Sequence, residues 1–254
     1  MIKNIYNKKL NKYLVFILFL IIGLTVYDDY GFNIDEQFQR SSGFYWLNYI
    51  SEYFNFNQLA FLAKEKLNNI SGFTLDPINY YNKYGIAFDV PAAILELSFK
   101  LDSPIEYYHA RHLLTFFYFY VGLIFFYKIL INRFHREEVA IFGTILLFIT
   151  PRLLGDSFQN TKDIIFLTFV IISSYYYFKI VDLPSKKNII LFSLFSAIST
   201  TIRLFGFFFP ISYIIFYFIS FSKKNYYKKM VHIFLVLVLF LIFLILFWPL
   251  LWEN

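Results

Sequence analysis

The chain has 254 residues, 59% of them hydrophobic and 24% aromatic, with a mean hydropathy of +0.56. Apolar runs long enough to cross a bilayer exclude an ordinary soluble domain and make this a polytopic membrane protein. The net charge of +6 sits in short clusters between those runs, the pattern of membrane topology rather than of a nucleic-acid partner, and the absence of cysteine excludes disulfides and thiolate metal sites.

The first apolar stretch, Tyr13 to Val26, follows Lys3, Lys8, Lys9 and Lys12 and runs into Tyr27, Asp28 and Asp29 without a small-residue cleavage site. It reads as a retained signal anchor with a cytoplasmic N-terminus. Residues 28–109 form a first extracytoplasmic loop that is too long and too patterned to be a linker. Within it Asp35–Phe54, Leu59–Ile70 and Ile86–Leu101 have apolar residues at near-helical spacing. The last, with Pro91 near its start and Glu96 inside, predicts a helix lying in the membrane interface, because a crossing there would place Arg133 and Arg136 outside.

Six more spans are expected near 110–131, 138–150, 164–181, 188–204, 206–221 and 230–249, about seven in all. With that count the basic N-terminus, Arg133–Arg136, Lys179–Lys187 and Lys223–Lys229 share the cytoplasmic side. The acids of 28–102, of the second extracytoplasmic loop at 151–163 and of Glu253 share the other. The expected fold is an all-α polytopic membrane protein, one transmembrane module over 1–254 without internal repeats.

Asp28, Asp29, Asp35, Glu36, Arg40, Arg111, His112, Arg152, Asp156, Lys162, Asp163 and Arg203 are all expected at one membrane level. Carboxylates surrounded by Arg and Lys suit a reaction in which an alcohol is deprotonated while an anionic phosphate leaves. Asp35–Glu36 also reads as a helix start, with Asn33 as N-cap, Glu36 closing a capping box and Arg40 placed to pair with Glu36 at i+4. The functional alternative makes Asp35 a general base, or makes both acids metal ligands.

In the second loop Asn160 or Thr161 is placed to cap the next helix, with Asp163 at the positive end of its dipole. Capping leaves Arg152 and Lys162 unexplained on the outer side, where they suit a phosphate. Arg111 and His112 open the second span, where arginine either snorkels to lipid or binds donor phosphate. Arg203 is an ionisable residue in apolar sequence, whose natural partner is an anionic lipid head or an outer carboxylate. Asp35, Glu36, Asp156 and Asp163 are hard oxygen ligands suited to Mg²⁺ or Mn²⁺, which leaves a metal-dependent variant open.

A first span, a long loop opening with the acidic pair Asp35–Glu36 and a second polar loop ending in Lys162–Asp163 resemble the GT-C membrane glycosyltransferases. The family 39 type, with protein O-mannosyltransferases and aminoarabinose transferases, is the most similar. The resemblance implies a polyprenyl-phosphate sugar donor, an acceptor on protein, lipid or glycan, and inverting transfer on the outer face of a bacterial inner membrane. It implies Asp35 as base, Glu36 as an aid to substrate placement, and Arg111, Lys162 and Arg203 at the donor phosphate. Such enzymes usually continue with further spans, so the chain is expected to be the N-terminal part of the pattern. The rival readings are a transporter or lipid flippase, which would show repeats and helices broken at the midplane, and a non-catalytic fragment whose acids are caps.

Overall fold

The computed structural model describes residues 11–70, 84–219 and 226–252. The expectations for Lys3, Lys8 and Lys9, for Lys223 and for Glu253 lie outside the described residues. The elements in chain order are α1 (Lys12–Val26), α2 (Ile34–Tyr53), α3 (Asn57–Asn68), α4 (Asp89–Ser98), α5 (Pro104–Phe134), α6 (Glu137–Ile149), α7 (Pro151–Gln159), α8 (Asp163–Asp182), α9 (Lys186–Ile202), α10 (Phe208–Ile219) and α11 (Tyr226–Phe247). Short 3-10 turns follow α9 at Leu204–Phe207 and α11 at Pro249–Trp252. No strand occurs among the described residues.

Among the described residues three helices are long and apolar enough to cross a membrane: α5, α8 and the Met230–Phe247 part of α11. A fourth span exists if α6 and α7, bent by 63° at their junction, are one broken crossing. Helices stand at all seven expected positions, but α1 has 15 residues, α9 has 17 and α10 has 12. At 1.5 Å per residue α1 rises only about 22 Å, short of a hydrocarbon core of about 30 Å. Residues 151–163, expected as a loop, are mostly α7. Pro151 explains the break: its ring fixes φ and removes an N–H, which suits the first turn of a new helix better than the interior of an old one.

Local chemistry sets the helix ends. Asn33 closes a capping box with Glu36 at the start of α2, and Ser103 does the same with Glu106 at α5, where Pro104 occupies the first turn. His135 ends α5 in the left-handed region at φ 52°. Helices α1 and α5 then run antiparallel: the Lys12 ammonium is 5.9 Å from the Tyr127 ring centroid, and Tyr120 donates to the Phe16 carbonyl at 3.2 Å. Further along, the Phe116 ring fills the space that a side chain on Gly23 would need, and His112 meets the Tyr27 carbonyl.

Outside this bundle α2, α3 and α4 share a core of Phe44, Trp46, Leu47, Ala63, Val90 and Ala93. Gly43 lets the backbone of Asp89 approach α2 closely, since a Cβ there would lie 3.0 Å from the Asp89 carbonyl carbon. Arg40 does not pair with Glu36 as helical spacing suggested. Its Nε donates to both Glu96 carboxylate oxygens at 3.1 and 2.9 Å and its Nη2 to Oε1 at 2.5 Å, while its guanidinium stacks 3.7 Å from the Tyr107 ring centroid. Glu36 faces the other way, into its capping box, so the longer-range partner takes the arginine. Lys66 of α3 adds a contact of 3.9 Å to Glu96 and one of 2.7 Å to Asp102.

The segment before α4 is tied to the bundle by two backbone bonds. Gly85 N–H donates to the Thr201 carbonyl at 2.8 Å and Ile86 N–H to the Phe247 carbonyl at 3.1 Å. Only glycine fits at 85, because a Cβ would collide with Thr201 and stand 2.6 Å from the Phe247 oxygen.

Arg40 and Glu96 are both buried, so truncating either strands a charge. Arg40→Ala and Glu96→Ala are each expected to cost about 3–5 kcal/mol. The double variant should lose clearly less than the sum, as thermal unfolding in detergent would show.

Candidate functional site

The start of α2 is anchored from two directions. Glu36 is 1% exposed; its Oε2 accepts from the Asn33 N–H at 2.8 Å and its Oε1 lies 2.9 Å from His112 Nε2. His112 Nδ1 is 3.3 Å from the Tyr27 carbonyl oxygen, so one imidazole joins α5 to the end of α1 and to α2. With Glu36 turned inward, Asp35 one residue earlier points elsewhere on the helix and is exposed. Its carboxylate has no hydrogen bond or ion pair among the described residues.

Asp35 lines two neighbouring cavities. The larger, of about 260 Å³, is walled by Asp35 and Gln39 of α2, by Gly85 and Asp89, and by Thr161 and Lys162, over a floor of Ile165 and Ile202. The smaller, of about 130 Å³, shares Asp35, Gln39 and Lys162 and adds Asn160, Asp163 and Arg203. The Lys162 ammonium stands 3.3 Å from the Tyr84 ring centroid. A ring face holds a cation without cancelling its charge as a carboxylate would. Two polar atoms on the wall, Gln39 Oε1 and Thr161 Oγ1, have no hydrogen-bond partner among the described residues. Leaving such groups dry costs about 1–3 kcal/mol each, which favours a polar occupant.

Asp163 and Arg203 form an ion pair, and Asp163 is also tied to Asn160, whose Oδ1 accepts the Asp163 N–H at 2.9 Å while its Nδ2 donates to the Asp163 carboxylate at 3.2 Å. Arg203 thus has the outer carboxylate as its partner. Arg111 is buried beneath the site; Nη2 donates to the Gln39 carbonyl at 3.5 Å, and Nε and Nη1 have no hydrogen-bond partner among the described residues.

Of the residues read as functional from sequence, Asp35, Lys162, Asp163 and Arg203 come together. Arg111 stands behind them, whereas Glu36 and His112 are buried beside them and line neither cavity. Arg152 lines neither; its side chain is 87% exposed and 3.7 Å from Asp156. Glu36, Asp156 and Asp163 are each engaged elsewhere than with Asp35, and among the described residues no three acidic or histidine side chains converge as metal ligands.

Sequence reasoning missed Asp89. It was absorbed into the apolar pattern of Ile86–Leu101, yet it is an acid two residues before Pro91, at a helix start, and that was the available signal. Burial pushes its carboxyl up to about 6, against the opposing pull of the Arg111 guanidinium, a hydrogen bond with Ser42 and the charge of Lys162. Among the described residues the site therefore offers a carboxylate without a hydrogen bond or ion pair, a second carboxyl pushed up to about 6 and an ammonium that forms no ion pair. That set can take a proton and hold an anion.

Because Asp89 holds its proton up to about pH 6 when folded but only to about 3.8 when unfolded, the folded state binds more protons between these values. Stability contributed by this group falls as pH rises through that window. Unfolding temperatures measured from pH 4 to 6.5 should show this downward component, and Asp89→Asn should remove it.

A family model described as dolichyl-phosphate-mannose-protein mannosyltransferase matches residues 89–251. The match takes in Asp89, Arg111, Lys162, Asp163 and Arg203, while Asp35 and Glu36 precede it. No curated protein and no solved structure gives a match. With more than half of the chain inside the match, the protein belongs to the dolichyl-phosphate-mannose-protein mannosyltransferase family of membrane glycosyltransferases.

Proposed function

We propose that the chain transfers a sugar from a polyprenyl-phosphate donor to a hydroxyl acceptor at the Asp35 cavity, with inversion. The observation that carries this reading is the free Asp35 carboxylate facing the same cavity as the Lys162 ammonium. In the reaction the acceptor O–H gives its proton to Asp35, the acceptor oxygen forms a bond to the anomeric carbon, and the bond from that carbon to the phosphate oxygen breaks. The electron pair leaves with polyprenyl phosphate, whose growing negative charge Lys162 stabilises. A single displacement inverts the anomeric centre.

Arg111 contributes positive charge from below, and Arg203 acts by holding Asp163 at the rim. Glu36 and His112 are positioning residues: they fix the start of α2 and hence the direction of Asp35. The acceptor is a hydroxyl on protein, lipid or glycan.

The topology that goes with this function has seven crossings and a cytoplasmic N-terminus in a bacterial inner membrane, with Asp35 outside. Support comes from the direction of the helices: α1, α9 and α11 finish at the cavity end, where α5 and α8 begin. The shorter helices complete their crossings with flanking turns. The bend at Thr150–Pro151 follows a 13-residue helix, about 20 Å along its axis, and so falls toward the cavity end rather than at the midplane where transporters break their helices.

Transfer of a labelled sugar from polyprenyl phosphate should be measured in membranes carrying the chain or Asp35→Asn. The substitution is expected to lower transfer by about 10²–10⁴-fold with donor binding retained. Undiminished transfer by Asp35→Asn would remove the base; donor that fails to bind the unaltered chain would remove the substrate class.

A further inference from the structure

At the far end of the bundle from Asp35, a groove of about 660 Å³ opens between the C-terminal ends of α5 and α8. Arg133, His135 and Lys179 supply its basic wall, Tyr175 and Phe178 its aromatic wall, and Asp182 is the one carboxylate lining it. Among the described residues neither Arg133 nor Lys179 forms an ion pair, and the Lys179 ammonium lies 5.6 Å from the Tyr175 ring centroid. The left-handed turn at His135 swings the chain from α5 into α6 and leaves the imidazole at the groove.

The depth of this groove follows from helix geometry. Lys162 and Lys179 bracket α8 about 26 Å apart along its axis, and Arg111 and Arg133 are about 33 Å apart along α5. A hydrocarbon core is about 30 Å thick. Two helices thus independently place the groove at the headgroup level of the leaflet opposite the Asp35 cavity. Charge that serves topology alone needs no concave seat, whereas here the cations converge on a cavity whose other wall is aromatic and apolar.

We propose that this groove binds an anionic phospholipid of that leaflet, with Arg133 and Lys179 on the headgroup phosphate and an acyl chain along Phe178 and Ile129. Basic pockets between membrane helices on the cytoplasmic side are suited to such headgroups, and the basic groups outnumber Asp182. The proposal rests on α5 and α8 crossing the membrane and is independent of the transfer reaction.

The test uses the purified full chain in phosphatidylcholine nanodiscs doped with fluorescent phosphatidylglycerol, where insertion no longer depends on positive charge. The unaltered chain should prefer phosphatidylglycerol to labelled phosphatidylcholine by roughly tenfold or more. The Arg133→Gln/Lys179→Gln variant should lose most of that preference. Lys128→Gln/Lys186→Gln, with the same charge loss outside the groove, should keep it, as should the charge-conserving Lys179→Arg. Equal preference in the groove variant and the unaltered chain, or equal binding of the two lipids by the unaltered chain, would overturn the proposal. Complete displacement of the lipid by millimolar inorganic phosphate would show a free-anion site instead.

Discussion

Two backbone hydrogen bonds hold the candidate site in being: Gly85 N–H to Thr201 and Ile86 N–H to Phe247. They fasten the segment leading into α4 to the C-terminal ends of α9 and α11, and the Tyr118 hydroxyl adds a bond to the Ala87 carbonyl beside them. Asp89 follows within four residues, and Gly43 lets α2 settle against that same stretch of backbone. A membrane bundle gains little from apolar contact between its own helices, since lipid is as apolar as leucine. Fixed polar ties of this kind therefore determine where the pieces meet.

The site divides its charges by availability. The Arg203 charge is committed to Asp163 and that of Arg40 to Glu96, so both act as fasteners. The Lys162 charge rests on a ring face and stays open to an anion, and the Asp35 carboxylate stays open to a proton. Glu36, the neighbour of Asp35, does the reverse: one oxygen closes the capping box and the other lies against His112. Adjacent acids in one motif thus take opposite tasks, because a helix turns them into different surroundings.

What could be read in the sequence was what depends on near neighbours. The Asn33–Glu36 capping box and the helical character of 35–54, 59–70 and 86–101 are all set within a few residues. What could not be read depends on long-range partners. Arg40 has an acid four residues before it at Glu36, yet its partner is Glu96, 56 residues further on; helical spacing alone cannot rank the two. Asp89 looked like one polar interruption of an apolar run, and acquires meaning only when α2, Arg111 and Lys162 surround it. Among the described residues charge and hydropathy located the apolar helices, including the three long enough to cross a membrane, but not the shortness of α1, α9 and α10 or the 63° bend, since composition does not say where a helix stops.

The close fit of Gly23 against Phe116 bears on how the chain is made. Helix α1 is synthesised before α5, and the notch at Gly23 stays unfilled until a residue roughly ninety positions later arrives. At about 5–20 residues per second, that delay is roughly 5–20 s. During it, α1 is held only by its own apolar surface, on which Leu14, Ile17, Leu18 and Ile21 remain exposed even in the finished fold. The Asp35 end of the molecule is therefore synthesised well before the helix that will orient it, and the site cannot assemble until α5 has been made.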